Sequence, residues 1–188
     1  PFPVIGMERA VKRALARTEE NGGHAAGEKR VLVAATPLTL REEKFQRLVE
    51  TVDNEGLVDP LPLPELVDFA ERGKFTDREI LPYLRDRLVP FDLANYGTLV
   101  LGCTHFLFFR RQFRQVLPPG IDLIDGNRGT VNQLRRTLAA LRPTGGEVEE
   151  RAGERVAYFE SGRPVTDPAA IARFALLLRR YEDDRDPE

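Results

Sequence analysis

The stretch Gly97-Thr-Leu-Val-Leu-Gly-Cys-Thr-His-Phe106 fixes the fold class of this chain. Thr98 to Leu101 form a short apolar run of the kind that makes a buried strand, and Gly102 breaks it. The only cysteine, Cys103, and one of the two histidines, His105, come next. Phe106, Phe109, Phe113, Val116 and Leu117 then recur at helical spacing until Pro118-Pro119-Gly120 ends the pattern. A thiol and an imidazole thus share a strand-to-helix turn. In open α/β sheets, ligands bind outside the carboxyl ends of the strands, where such turns lie.

The same unit appears on both sides of this stretch. Arg30-Val-Leu-Val-Ala-Ala-Thr36 is a continuous apolar run, the pattern of a strand buried on both faces, and Pro37 stops it. Thr39 with Glu42 reads as a capping box for a helix with Phe45, Leu48, Val49 and Val52 on its core face. Leu57 to Leu63 is a weaker strand, interrupted by Pro60 and Pro62. A short helix over Glu65–Arg72 turns Leu66, Val67 and Ala70 inward, and a second capping box, Thr76 with Glu79, opens a helix running to Pro90. Gly120 to Gly126 is another strand, with Asp125 at its end and Thr130 capping a helix through Leu141. Strands alternating with helices predict a parallel sheet with helices on both faces.

The ends are less regular. Phe2–Gly6 reads as extended, Met7–Thr18 as a helix, and Asn21–Gly27 as a loop in which His24 is a solvated histidine. Pro143–Gly153 reads as a polar linker, Arg155–Glu160 as a strand, and Asp167-Pro168 as the cap and first residue of a closing helix. The first residue is proline, so further residues are expected upstream of Pro1.

Composition narrows the function classes. The net charge is −2, which gives no electrostatic case for nucleic acid or an anionic membrane surface. No apolar run approaches the ~20 residues that span a bilayer. One cysteine cannot form an internal disulfide, so a cytoplasmic location is expected. Cysteine and histidine together number three, too few to favour a structural zinc site.

At a helix N-terminus the Cys103 thiolate would gain from the dipole and from unpaired backbone N–H groups, which with the Thr104 hydroxyl could hold an anion. His105 lies close enough to tune the thiol. Without further signal, a buried structural cysteine is the simpler reading. Asp125 reads first as a turn or capping aspartate, Glu71 as a solvated helix-end carboxylate, and Thr36 and Thr39 as caps. The pairs Arg110-Arg111, Arg135-Arg136 and Arg179-Arg180 read as solvated helix faces.

Thr98-Leu-Val-Leu-Gly-Cys-Thr-His105 resembles the second catalytic motif of the cofactor-independent glutamate racemases, in the Asp/Glu racemase superfamily. Ala35-Thr-Pro-Leu-Thr39, Leu66-Val-Asp-Phe-Ala-Glu71, Leu123-Ile-Asp-Gly-Asn-Arg-Gly-Thr130 and Tyr158-Phe-Glu-Ser-Gly162 are similar, in order, to further segments of that family, as is Pro3-Val-Ile-Gly-Met-Glu8. The resemblance implies a flavodoxin-like parallel sheet plus the remnant of a second similar domain. Residues 1–8 would belong to the first domain or linker, 9–127 would form the second racemase domain, and 128–188 would return to the first.

The implied activity interconverts L- and D-glutamate by two-base proton transfer at the α-carbon, supplying D-glutamate for peptidoglycan without metal or organic cofactor. Cys103 would be one base, assisted by His105 with Glu71 as an auxiliary acid, while Thr104 and Thr36 would bind glutamate. A homodimer is compatible with the resemblance. The chain departs from the family in lacking the first-domain motifs and their cysteine, so as given it carries half of a two-thiol site and is expected to be inactive alone. It also has Phe106-Leu107 where the family usually has Tyr-Pro, and Leu63 where many members have cysteine. Three other readings stay open: an aspartate or hydantoin racemase relative, a non-catalytic glutamate-binding protein, and a cysteine hydrolase acylated on Cys103.

Overall fold

A computed structural model describes residues 30–53, 56–141 and 157–183. The expected extended start, first helix, His24 loop and 143–153 linker lie outside the described residues. Four parallel strands form the sheet: β1 (Arg30–Ala35), β2 (Val58–Pro62), β3 (Tyr96–Leu101) and β4 (Asp122–Asp125), in the order β2-β1-β3-β4. That order places β1 and β3 at the centre, which is why their sequences are the unbroken apolar ones. β2 tolerates Pro60 and Pro62 because it is an edge strand, where a missing N–H costs no ladder bond on the outer side.

Side chains alternate across the sheet and build two cores. Leu32, Ala34, Leu99 and Leu101 point to one face, against Leu66 and Ala70 of α3 (Glu65–Glu71), Ile80 and Leu84 of α4 (Asp77–Leu88), and Phe113 of α5 (Arg110–Val116). Val31, Val33, Val100 and Ile124 point to the other, against Leu40 of α1 (Pro37–Arg41) and Phe45 and Leu48 of α2 (Glu43–Val52). Helices therefore cover both faces, as expected. Phe106, Phe109 and Phe113 are fully buried, and each contributes on the order of 1.5–3 kcal/mol of burial energy. At the amino ends of the strands, Arg30 on β1 donates to Asp59 on β2 (2.5 and 2.8 Å), which also accepts from the Tyr96 hydroxyl at the start of β3 (2.7 Å).

Several local expectations are corrected. The first crossover helix begins at Pro37 rather than after Thr39, and Thr36 is its cap, its hydroxyl accepting from the Thr39 N–H at 3.3 Å. Proline at the first helical position explains the earlier start, because its fixed φ suits that position and no N–H is needed there. The helix after β4, α6 (Asn127–Leu141), starts three residues before Thr130, because Asp125 accepts from the Asn127 N–H at 2.7 Å and takes the capping role. The segment after Phe106 opens as a 3-10 helix (Thr104–Phe109) before it becomes α5.

Residues 155–156 lie outside the described residues. The rest of that expected strand is a small antiparallel hairpin, β5 (Phe159–Glu160) with β6 (Arg163–Pro164), turned by Ser161 and Gly162 at positive φ. Asp167 caps α7 (Pro168–Asp183) through the Ala170 N–H, as expected.

The arginine pairs are not all solvated. Arg110 pairs with Asp125, both side chains only 11% exposed, and Arg111 pairs with Asp77 at 2.7 Å. Arg135 and Arg136 are exposed, as the helix-face reading has it. Val131, Leu134 and Leu138 on α6 and Leu176 and Leu178 on α7 are about half exposed. Among the described residues no helix is long and apolar enough to cross a membrane.

Gly102 ends β3 where the backbones crowd. Its N–H donates to Ala34 O at 2.8 Å, and a side-chain carbon there would lie 3.1 Å from that oxygen and 3.3 Å from Ala35 Cβ. Neither neighbour can retreat, because both belong to the central strand. Gly102→Ala should lower stability by about 1–3 kcal/mol, read as a reduced urea midpoint at unchanged slope. An unchanged midpoint would contradict this account of the glycine.

Candidate functional site

The carboxyl ends of the parallel strands share one edge, and Cys103 leaves β3 there. Its backbone is still extended (φ −127°, ψ 137°), so it caps the following 3-10 turn from outside. The helical phase of that turn buries Phe106 and leaves Thr104 exposed, while Cys103 and His105 are half-buried. Burial of Phe106, Leu107 and Phe109 beneath the turn fixes its height over the sheet, and with it the places of Cys103 and His105.

Three of the expected site residues come together. Cys103 Sγ lies 3.9 Å from His105 Nδ1. His105 Nε2 lies 3.0 Å from Glu71 Oε1, at the last residue of α3. An ionised carboxylate only accepts, so Nε2 carries the proton that it donates to Glu71. Neutral His105 then presents a bare Nδ1 to the thiol. The arrangement can take a proton from sulfur onto the imidazole and balance the resulting charge with Glu71, an acid–base relay recognised by its geometry. Glu71, a solvated helix-end carboxylate by sequence alone, orients His105 from 34 residues away.

The expected net stabilisation of the thiolate is corrected. Burial is the dominant influence and pushes the Cys103 thiol up, while the nearby backbone N–H groups of His105 and Phe106 pull it down by less. The sulfur accepts no capping hydrogen bond from the turn, whose Phe106 N–H bonds the Cys103 carbonyl instead, and desolvation prevails.

Thr104 is exposed on the same turn, and Thr36 is half-buried at the end of β1. The Thr36 hydroxyl serves the α1 cap and lies 3.0 Å from the Thr39 hydroxyl. Asp125 holds Arg110 and the start of α6, so the capping reading of this residue stands. Two arginines join the neighbourhood: Arg173, which no motif marks, and Arg180, which is not the solvated helix-face residue expected. Arg173 Nη1 of α7 lies 3.6 Å from Glu71 Oε2, and Arg180 donates to Phe108 O at 3.2 Å and to Gln112 Oε1 at 3.4 Å. No local pattern marks either one, since arginine on a helix is ordinarily solvated. Among the described residues no three His, Cys, Asp or Glu cluster as a metal site would require.

No protein-family model matches the chain. Over 178 residues it is 48% identical to the glutamate racemase of Halothermothrix orenii, covering 95% of this chain and 65% of that protein. Glutamate racemase 2 of Bacillus subtilis is 43% identical over 183 residues, covering 97% of this chain and 64% of the relative. The chain thus spans just under two thirds of the length of these relatives. Among solved structures, Escherichia coli glutamate racemase in complex with L-glutamate and the activator UDP-MurNAc-ala superposes with a TM-score of 0.64 at 27% identity, over 92% of this chain and 59% of that one. Isoform RacE1 from Bacillus anthracis, at 20% identity and TM-score 0.60, shares the fold over 75% of this chain and 50% of its own.

If burial governs the thiol, alkylation of Cys103 by iodoacetamide should rise with pH to a midpoint above the ~8.5 of a free cysteine. The same shift sets the sign for folding. A thiol whose pKa is raised on folding contributes stability that is fully present below the unfolded value and is lost as pH climbs through the folded one. A midpoint at or below that of a free cysteine would show that burial does not govern the thiol.

Proposed function

Because the chain belongs to the glutamate racemase family, we propose that it acts on the α-carbon of glutamate, with Cys103 as one of two bases that interconvert the L and D forms. The observation that carries this reading is the relay Cys103–His105–Glu71 at the carboxyl edge of the sheet. An α-proton beside an ionised carboxylate is weakly acidic, so its removal needs a strong base. Burial makes the Cys103 thiolate scarcer but more basic, and His105 is placed to receive the thiol proton and so generate the thiolate. Cys103 then removes the α-proton of L-glutamate and returns one in the reverse direction.

The substrate's charged groups need partners at this edge. Thr104, next to Cys103 in the chain, is exposed and carries a hydroxyl. Thr36 can accept from the Thr39 N–H and hydroxyl while its own O–H donates to a substrate carboxylate. Inversion requires a second acid on the opposite face of the α-carbon. This sequence has one cysteine, so the site we assign to these residues is one half of the pair. In this reading residues 9–127 form the second racemase domain, and 1–8 and 128–188 belong with the first. Its product would be D-glutamate for peptidoglycan, made in the cytoplasm without a metal or organic cofactor.

A second reading draws on the same geometry. A thiol, an imidazole facing it through Nδ1, and a carboxylate on Nε2 are also the parts of a nucleophilic cysteine. Exchange of the glutamate α-proton with heavy water, which needs one thiol where inversion needs two and so is open to this half-site, separates the two when followed by proton NMR. Exchange should depend on Cys103 and fall by about 10²-fold or more in Cys103→Ser, with no acyl adduct in the intact mass. Exchange that survives Cys103→Ser would overturn the proposal. Exchange of aspartate but not glutamate would identify the aspartate racemase relative, and binding of glutamate without exchange would identify a binding protein.

A further inference from the structure

Helix α7 packs against the 3-10 turn that carries Thr104 and His105. Arg173 and Arg180 are seven residues apart, two helical turns on one face. Arg180 grips the turn itself: it donates to Phe108 O at 3.2 Å and to the fully buried Gln112 at 3.4 Å, and it stacks on the Phe75 ring. Tyr181 accepts from Asn127 at 3.2 Å and ties the helix to the start of α6. Arg173 reaches the other side of the site, with its Nη1 3.6 Å from Glu71 Oε2. Its guanidinium also lies over the Phe174 ring, which stacks on Tyr158.

The two oxygens of Glu71 thus have different partners. Oε1 accepts from His105 Nε2, and Oε2 faces Arg173. Glu71 is nearly half exposed and is the last residue of a seven-residue helix, so its own backbone holds the carboxylate loosely. A half-exposed ion pair contributes little to folding, but it does select a rotamer. With Oε2 engaged, Oε1 is turned toward His105, and the imidazole is held with Nδ1 toward Cys103.

We propose that Arg173 is a positioning residue for the Cys103–His105–Glu71 relay, through which the closing helix α7 sets the reactivity of the thiol. This rests on the relay of the proposed function but can fail independently of it, because thiol reactivity can be read without racemisation. Arg173→Gln should slow alkylation of Cys103 by iodoacetamide at neutral pH about three- to fivefold, the range open to a surface ion pair. Arg173→Lys, which keeps a cation on a long stem, should restore the rate to within about twofold of the wild type.

The decisive arm is the double variant. Glu71→Gln/Arg173→Gln should react no more slowly than Glu71→Gln alone, since Arg173 acts through Glu71. An unchanged rate in Arg173→Gln would overturn the proposal. So would an equal slowing in the Glu71→Gln background, or no recovery with lysine at unchanged circular dichroism. Failure of α-proton exchange with this alkylation pattern intact would refute the racemase reading and leave the positioning role standing.

Discussion

Parallel pairing of β1 with β3 is the constraint on which the rest of the molecule depends. The two strands are buried on both faces, so neither can shift register without exposing a core. Being parallel, they deliver Thr36 and Cys103 to the same edge, and the crossover helices must pack outside the sheet to return the chain. Gly102 lets the end of β3 lie against Ala34 and Ala35, which sets where the thiol emerges. Fixed backbone therefore stands behind every side chain in the site except Glu71.

Glu71 comes from a different crossover and shows how the fold spends its rigidity. α3 is short and anchored by Leu66 and Ala70, which places its last residue above the turn after β3. From there one carboxylate oxygen meets His105 and the other faces Arg173 of α7. The reactive group is thus assembled from three segments far apart in sequence. Burial raises the basicity of the thiolate while the neighbouring imidazole offers a route for its proton. Those demands suit removal of a reluctant carbon-bound proton, the step we propose for this site.

Much of this was legible from residue order. The apolar runs at Arg30–Ala35 and Thr98–Leu101, the proline-broken edge strand and the polar turns led directly to a parallel sheet covered on both faces. The short motif Gly102-Cys-Thr-His105 marked the turn. Caps were misplaced where two residues compete for the same helix end, as Thr36 and Thr39 do, and as Asp125 and Thr130 do. The choice turns on backbone angles that composition does not encode. Arg110 and Arg180 read as solvated helix faces, and no motif marks Arg173. Their partners lie 15 to 102 residues away, and an arginine on a helix looks the same in sequence whether it meets water or a carboxylate.

The chemistry of this edge turns on Glu71 holding His105 with Nε2 protonated and Nδ1 bare toward Cys103. The nitrogen NMR shifts of the His105 ring report this directly, with the signal assigned by its loss in His105→Gln. The neutral ring should be protonated at Nε2 and should shift toward a mixture of tautomers in Glu71→Gln. A neutral ring protonated at Nδ1, unchanged by Glu71→Gln, would contradict this arrangement.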